Sequence, residues 1–389
     1  MKNTTNKTNG IVVLSLFDGM SCARLALDKV GLKVDKYIAS EVKKFAISHT
    51  LKQFPNTIMC GDVTKLHYNK SKKTLYANCK RIEKNGVIVR WDCRNATPIH
   101  VGKIDLLIGG SPCQQFSNAF SFSKNPFKGL KGKDSKLFYE YLRLLKETNP
   151  TYFLLENVKM TKPNKDALDS YLGVEAIYIN SDKLTYQHRA RYYWTNIKGI
   201  TNVEDAHVSF KDYKITTLPR LEPILIHNKF NEDKLPLNIT SEELNRICNN
   251  NLWAYEELKM VNPSLTKEEF VEELHNILSE SIAKRMPFRE RMWANGVGKG
   301  KFVAKNITNE DKVGALTRVQ DRNPCSGCIA FGDFYRYLNR LELCKAQGVE
   351  YAFLNDLSYR QLQDVLGDGF TIDVIAHLLT PLKKKYASK

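Results

Sequence analysis

The chain has 389 residues, 42% of them hydrophobic, enough to bury a sizeable core in two lobes. Fifty-nine Lys and Arg against 42 Asp and Glu leave a formal charge of +17, the electrostatic footprint of a polyphosphate partner, although lysine-rich solvated faces give the same count. No run approaches the roughly 18 apolar residues of a membrane span, and residues 1–10 lack the apolar stretch of a signal peptide, so an intracellular protein with a disordered start is expected.

Residues 11–17, IVVLSLF, form an apolar run of strand length that stops at Asp18 and Gly19, and residues 22–30 then carry helical spacing. Residues 36–40 predict a second strand ending at Glu41, residues 42–54 a helix, and residues 57–60 a third strand ending at Gly61 and Asp62. Alternation of this kind predicts a parallel sheet flanked by helices. A carboxylate at a strand's end can accept hydrogen bonds from a ribose diol or an exocyclic amine, but either acid can equally be a helix N-cap. The glycine pattern is weak, because residues 17–21 hold one glycine. Residues 66–102 are strongly basic, with a hairpin strand at 87–91, and read as an insertion whose cations make a solvated surface or a DNA-facing patch.

Residues 105–108 predict a short buried strand bounded by Gly109 and Gly110, with Pro112 and Cys113 following. The carboxyl end of a strand is where open α/β sheets put ligands and chemistry. The plain alternative is a cysteine that merely packs. Nine irregularly spaced cysteines without an export signal are expected to be reduced thiols. A helix at 137–145 precedes a strand at 152–155 with Glu156 and Asn157 at its end, and strands follow at 175–179 and 191–197. The last is entered through Gln187-His188-Arg189-Ala190-Arg191, and in a strand Arg189 and Arg191 point to one face, suited to an anion, a base edge or plain surface alternation. Beyond residue 198 the pattern loosens into helical stretches at 241–258 and 265–284, a Gly and Lys loop at 293–301, and a lone CxxC at Cys325 and Cys328. Without a second ligand pair that CxxC does not predict a metal. Helices are predicted at 338–347 and 358–366, then Gly367-Asp368-Gly369 and an apolar run at 370–379.

Together these stretches resemble the cytosine-C5 DNA methyltransferase family, in wording closest to its animal de novo branch and bacterial or phage-like relatives. Phe17-Asp18-Gly19 is similar to the family's first cofactor motif, Glu41 to its ribose-binding acid, and Gly61-Asp62-Val63 to its adenine-binding turn. Ser111-Pro112-Cys113-Gln114 resembles its nucleophile motif, Glu156-Asn157-Val158 its Glu-Asn-Val, and residues 187–191 its Gln-x-Arg-x-Arg. The chain departs at Ser21, where the family often has a second glycine, and at Asp368-Gly369, which replace the usual Asn-Ser. Arg340, Glu342 and Gln347-Gly348 match the penultimate motif loosely, with the arginine displaced by one position.

The resemblance implies an α/β fold of the S-adenosylmethionine-dependent methyltransferase type, a Rossmann-like mixed sheet with helices on both faces, plus a smaller target-recognition lobe. Residues 1–197 would be the catalytic and cofactor-binding domain carrying the 66–102 insertion, 198–336 the recognition domain, and 337–389 a segment returning to the catalytic domain. The cofactor would be S-adenosylmethionine, held by Phe17, Asp18, Gly19, Met20, Ser21, Glu41, Val42, Asp62, Val63, Gly110, Pro112, Leu137, Asp368 and Gly369. The substrate would be double-stranded DNA, methylated at C5 of a flipped-out cytosine through a covalent Cys113–C6 adduct. Glu156, Arg189 and Arg191 would assist catalysis, and Gln114, Ser117, Asn118 and Asn157 would touch the substrate. No metal and no membrane are implied. A monomer in the cytoplasm or on the nucleoid is expected, with a cognate restriction endonuclease as a candidate partner. The rivals are a tRNA cytosine methyltransferase of the same family and a non-catalytic DNA-binding homologue; retention of Cys113, Glu156 and Arg191 speaks against the second.

Overall fold

The structure, a computed structural model, describes residues 10–84, 87–111, 136–215, 240–281, 305–320, 325–331 and 334–387. They fall into two compact units, one of Met1–Asn180, Ala190–Val203 and Gly369–Lys389, the other of Ser181–Arg189 and Glu204–Asp368.

In the first unit the short apolar runs pair side by side. β1 (Ile11–Leu16) leads through a tight turn into α1 (Cys22–Val30), and β2 (Val34–Ser40) leads into α2 (Lys44–Gln53) and β3 (Ile58–Met59). An inserted piece follows, with β4 (His67–Asn69), β5 (Thr74–Ala77), β6 (Lys80–Lys84), β7 (Val87–Asp92) and β8 (Thr97–His100). The frame resumes with β9 (Leu106–Gly110), α3 (Lys136–Thr148), β10 (Tyr152–Val158), α4 (Lys162–Leu172), β11 (Ile177–Asn180) and β12 (Ala190–Thr195). Seven strands form one sheet in the order β11-β12-β10-β9-β1-β2-β3. The pairs from β10 to β3 are parallel, while β12 runs antiparallel to both β10 and β11. Strands buried in a parallel sheet read as continuous apolar runs, as Leu14, Leu16, Ile38, Leu107, Phe153 and Leu155 do here. Phe138, Tyr141 and Leu144 place the apolar stripe of α3 in the same core.

The inserted strands stay out of that sheet, forming a three-stranded sheet β4-β5-β8 and the hairpin β6-β7. Tyr68, Leu75 and Ala77 nevertheless enter the main core, so the insertion is packed rather than appended. One expectation is corrected here: Cys79 and Cys93 form a disulfide instead of two reduced thiols. They flank the cross-strand pair Lys80 and Asp92, and that register brings their Cα atoms to 4.6 Å. Spacing alone concealed the pair. Closing this loop is expected to contribute about 3 kcal/mol. Thermal unfolding of wild type with and without reductant, beside Cys79→Ser/Cys93→Ser, checks it: the reduced protein and the double variant should melt together, below the oxidised protein.

The second unit contains α5 (Ser241–Asn250), α6 (Leu252–Val261), α7 (Lys267–Glu280), the hairpin β13 (Ile329–Phe331) and β14 (Phe334–Arg336), then α8 (Arg340–Gln347), α9 (Tyr351–Leu354) and α10 (Tyr359–Asp368). The single helix expected at 241–258 is two, because Asn251 turns its amide onto the carbonyl of Ile247 (2.9 Å) and ends the first. Its centre is polar but closed. Arg336 and Glu342 form a bidentate pair with both bonds at 2.8 Å and side chains 1% and 0% exposed. Arg340 pairs instead with Glu280 (2.8 Å). These pairs hold residues 337–368 within the second unit, whereas α11 (Ile372–Ala387) belongs to the first and packs on α1.

Candidate active site

β1, β2 and β3 are neighbours, so the residues after their carboxyl ends converge. After β1 the chain turns sharply: Phe17, Gly19 and Ser21 have φ of 58°, 59° and 62°. Only glycine takes that region freely, and each other residue there costs on the order of 1–3 kcal/mol. Ser21, the departure noted in the sequence, offsets the cost with its hydroxyl, which donates to Asp18 Oδ2 (2.6 Å) and lies 3.1 Å from Thr50 Oγ1. Tyr37 donates from β2 to Asp18 Oδ1 at 2.6 Å. Burial pushes the Asp18 carboxyl above its ordinary range, against the lowering effect of the Ser15, Ser21 and Tyr37 hydroxyls. Asp18 therefore builds the turn from within. Met20, 0% exposed, does the same.

Glu41 joins the first two strand ends. Its Oε2 accepts from the N–H of Gly19 (2.8 Å), and its Oε1 from those of Val42 (2.7 Å) and Lys43 (2.8 Å). Three donors leave about one of a carboxylate's four acceptor sites for a ligand. The Ser40 hydroxyl donates to Gly61 O (2.6 Å), and Asp62 caps the next turn by accepting from Thr64 N (2.9 Å) and Thr64 Oγ1 (2.8 Å). Both acids thus fill the local role that the sequence offered as one of its two alternatives. A Cβ built on Gly19 or Gly61 would meet nothing within 4 Å among the described residues, so among them open space lies against the turns that carry these acids. Val42 is 65% exposed there, Val63 is buried, and Phe17 and Leu137 are partly buried against the core.

The neighbouring strands β9 and β10 carry the second half. Glu156 pairs with Gly110 across the parallel ladder and with Tyr193 across the antiparallel one, inside β10 rather than after it. A Cβ on Gly110 would lie 2.8 Å from Phe370 Cε1 and 3.0 Å from Glu156 Oε2, so only glycine fits between the ring and the carboxylate. Arg191 Nε holds Glu156 Oε1 at 2.8 Å. Asn157 donates to Ser111 Oγ at 3.1 Å and accepts from Val158 N at 2.8 Å. It thereby ties down the chain just ahead of the Pro112-Cys113 step. Pro112, Cys113, Gln114, Ser117 and Asn118 lie outside the described residues.

Residues 11–384, nearly the whole chain, match the C-5 cytosine-specific DNA methylase family. The chain belongs to that family. It is 36% identical over 102 residues to the type II methyltransferase M.FnuDI of Fusobacterium nucleatum, covering 26% of this chain and 28% of that one. It is 30% identical over 149 residues to the orphan methyltransferase M.Rho11sI of Bacillus phage rho11s, 38% of this chain and 23% of the phage protein. The aligned stretches thus span roughly a quarter of these relatives. Among solved structures, the Entamoeba histolytica methyltransferase EhMeth superposes over 97% of this chain and 98% of its own with a TM-score of 0.56 at 13% identity, a likeness of fold.

Not every residue matched to the family motifs gathers at these strand ends. β12 begins at Ala190, so the expectation that Arg189 and Arg191 share a strand face is corrected: Arg189 precedes the strand. It is buried in the second unit, donating to Gly367 O (3.1 Å) and Leu316 O (3.4 Å). Gln187 works beside it, donating to Ala346 O (2.9 Å) and accepting from Leu316 N (2.9 Å). Asp368 ends α10 in that same unit, 3.4 Å from Arg318, while Gly369 begins the last piece of the first. Among the described thiols, burial pushes Cys60 up to about 12 and raises Cys248, Cys325 and Cys344. Nothing in the sequence spacing marks the contacts of Tyr37 with Asp18, Thr50 with Ser21 or Phe370 with Gly110.

Proposed function

We propose that this chain transfers a methyl group from S-adenosylmethionine to C5 of a cytosine in duplex DNA. The observation that carries the reading is the Glu156–Arg191 pair beside Gly110, on the strand ends flanking the entry to Cys113. The cofactor fits the other half. Open space adjoins Gly19 and Gly61, where Glu41 offers a remaining acceptor to a ribose diol and Asp62 to an adenine amine, with the Phe17 ring nearby. When bound, S-adenosylmethionine would supply an electrophilic methyl group.

Carbon 5 of cytosine is a poor nucleophile, and the chain's own groups must activate it. The Cys113 thiolate adds to C6, forming a C–S bond and pushing the ring's electrons towards C5 and N3. Glu156 Oε1 is held by Arg191, which leaves Oε2 to deliver a proton to N3 and so neutralise the negative charge that addition develops there. After transfer a base removes the C5 proton, the C6–S bond breaks, and Cys113 returns as thiolate. The target base must leave the stack first, at a cost of a few kcal/mol.

Labelled S-adenosylmethionine incubated with mixed-sequence duplex DNA and with bulk tRNA, followed by base-resolution mapping of 5-methylcytosine, tests the reading. Label in DNA at a recurring context supports it, label in tRNA alone transfers the protein to the RNA branch, and label in neither overturns it. Glu41→Gln should weaken cofactor binding about 10- to 100-fold, the worth of one hydrogen bond to a charged group. Duplex affinity should stay unchanged, and calorimetry with each ligand separates the two effects. An unaltered cofactor affinity would remove Glu41 from the site.

A further inference from the structure

We infer that the insertion is a second nucleic-acid surface, one that grips the phosphates of duplex DNA flanking the target base; the inference rests on duplex DNA being the substrate. Residues 66–103 hold nine Lys and Arg and two Asp and Glu, so about a tenth of the chain carries +7 of its +17. The structure sorts these charges by face. In the hairpin, Arg81 and Trp91 are cross-strand partners, and both guanidinium groups of Arg81 and Arg143 lie over the indole, at 5.3 and 4.8 Å. His67 stacks on the same ring at 5.3 Å. Arg81 pairs with Glu140 of α3, and Arg143 pairs with Glu140 (3.0 Å) and Glu147 (2.8 Å). Glu140 and Glu147 of α3 are thereby neutralised on the side facing that helix, while Glu83 stays exposed at 3.9 Å from Arg81.

Six further cations of the insertion stay unneutralised. Lys70, Lys72 and Lys73 crowd the β4-β5 turn, and Lys80, Lys84 and Arg90 lie on the hairpin; all six are exposed and form no ion pair among the described residues. Alternation along a strand sends Lys80 and Arg90 to the face opposite Arg81 and Trp91. Asp92, across from Lys80, is already bound to Arg94 at 2.7 Å. A surface serving solubility alone would intersperse both signs. The cations are also mounted rigidly, because the Cys79–Cys93 disulfide closes the base of the hairpin and the Trp91 stack pins it to α3. A fixed comb of unneutralised cations suits a regular array of phosphates, whose binding releases counterions and is steeply salt-dependent.

The test uses the full-length protein and the variant Lys72→Gln/Lys73→Gln/Lys80→Gln/Arg90→Gln, with a 40-base-pair duplex titrated between about 50 and 200 mM salt. Each released phosphate is worth about 0.9 in the slope of log affinity against log salt, so the slope should become shallower by about 3 and affinity should fall at least about tenfold. The rate at saturating DNA should hold while KM rises, and the matching Lys→Arg variant at positions 72, 73 and 80 should behave as wild type. An unchanged slope in the glutamine variant overturns the inference while leaving the methyltransferase reading intact. With bulk tRNA titrated in parallel, a slope change confined to tRNA overturns it in favour of RNA, and a wild type that binds no duplex brings down both readings.

Discussion

Cys113→Ala is expected to reduce methyl transfer on the order of 10⁴-fold or more while cofactor and duplex affinities stay within a few-fold of wild type. On the proposed mechanism nothing adds to C6 without the thiolate, so C5 does not become nucleophilic and the remaining groups would orient the ring without activating it. The structure accounts for the specificity of the effect. Asn157 anchors Ser111, and Phe370 and Glu156 enclose Gly110, so the ground on either side of the nucleophile's strand end is set by groups the substitution does not touch. Single-turnover assays with labelled cofactor, paired with binding isotherms for both ligands, separate chemistry from binding. Undiminished turnover would remove Cys113 as nucleophile. Collapse of cofactor binding alongside activity would point to lost structure instead.

Arg336→Met should destabilise the second unit by about 3–5 kcal/mol, the usual cost of stranding a buried charge. Glu342 is fully buried, and besides the two bonds from Arg336 it accepts from Ile215 N (2.9 Å) and Asn339 N (3.0 Å). Arg336 in turn donates to Ile215 O (3.0 Å) and Tyr337 O (3.1 Å), so the pair ties the 336–342 stretch to the distant segment at Ile215. Arg336→Met/Glu342→Leu should recover only part of the loss. The stranded carboxylate is gone, but two backbone N–H groups lose their acceptor at about 1–3 kcal/mol each. Urea unfolding followed by circular dichroism ranks the three proteins. A single variant as stable as wild type would refute the account.

Much of the site's chemistry was legible as local pattern. Apolar runs of strand length stopping at Asp18-Gly19, Glu41, Gly61-Asp62 and Gly110 place four strand ends, because burial in a parallel sheet demands such runs and a turn must follow each. Glu156 was legible by motif but misplaced by one step, since β10 continues through Val158. Its antiparallel partner β12 prolongs the ladder beyond where the apolar signal fades.

Pairings across the fold were not legible, and the reason is the same in each case. Arg340 stands one position away from the motif's arginine, and the turn after β14 brings Arg336 to Glu342 and leaves Arg340 to Glu280. Cys79 and Cys93 meet because hairpin register sets them opposite, which their spacing does not encode. Arg189 and Arg191, two positions apart, go to different compact units because the strand begins between them. By itself the sequence determined the family, the order of strand ends and the residue types offered there, all of which depend on neighbours along the chain. Which carboxylate holds a turn, which arginine faces Glu156 and which cations remain unpaired were decided only by tertiary structure, because each depends on register between segments far apart in sequence.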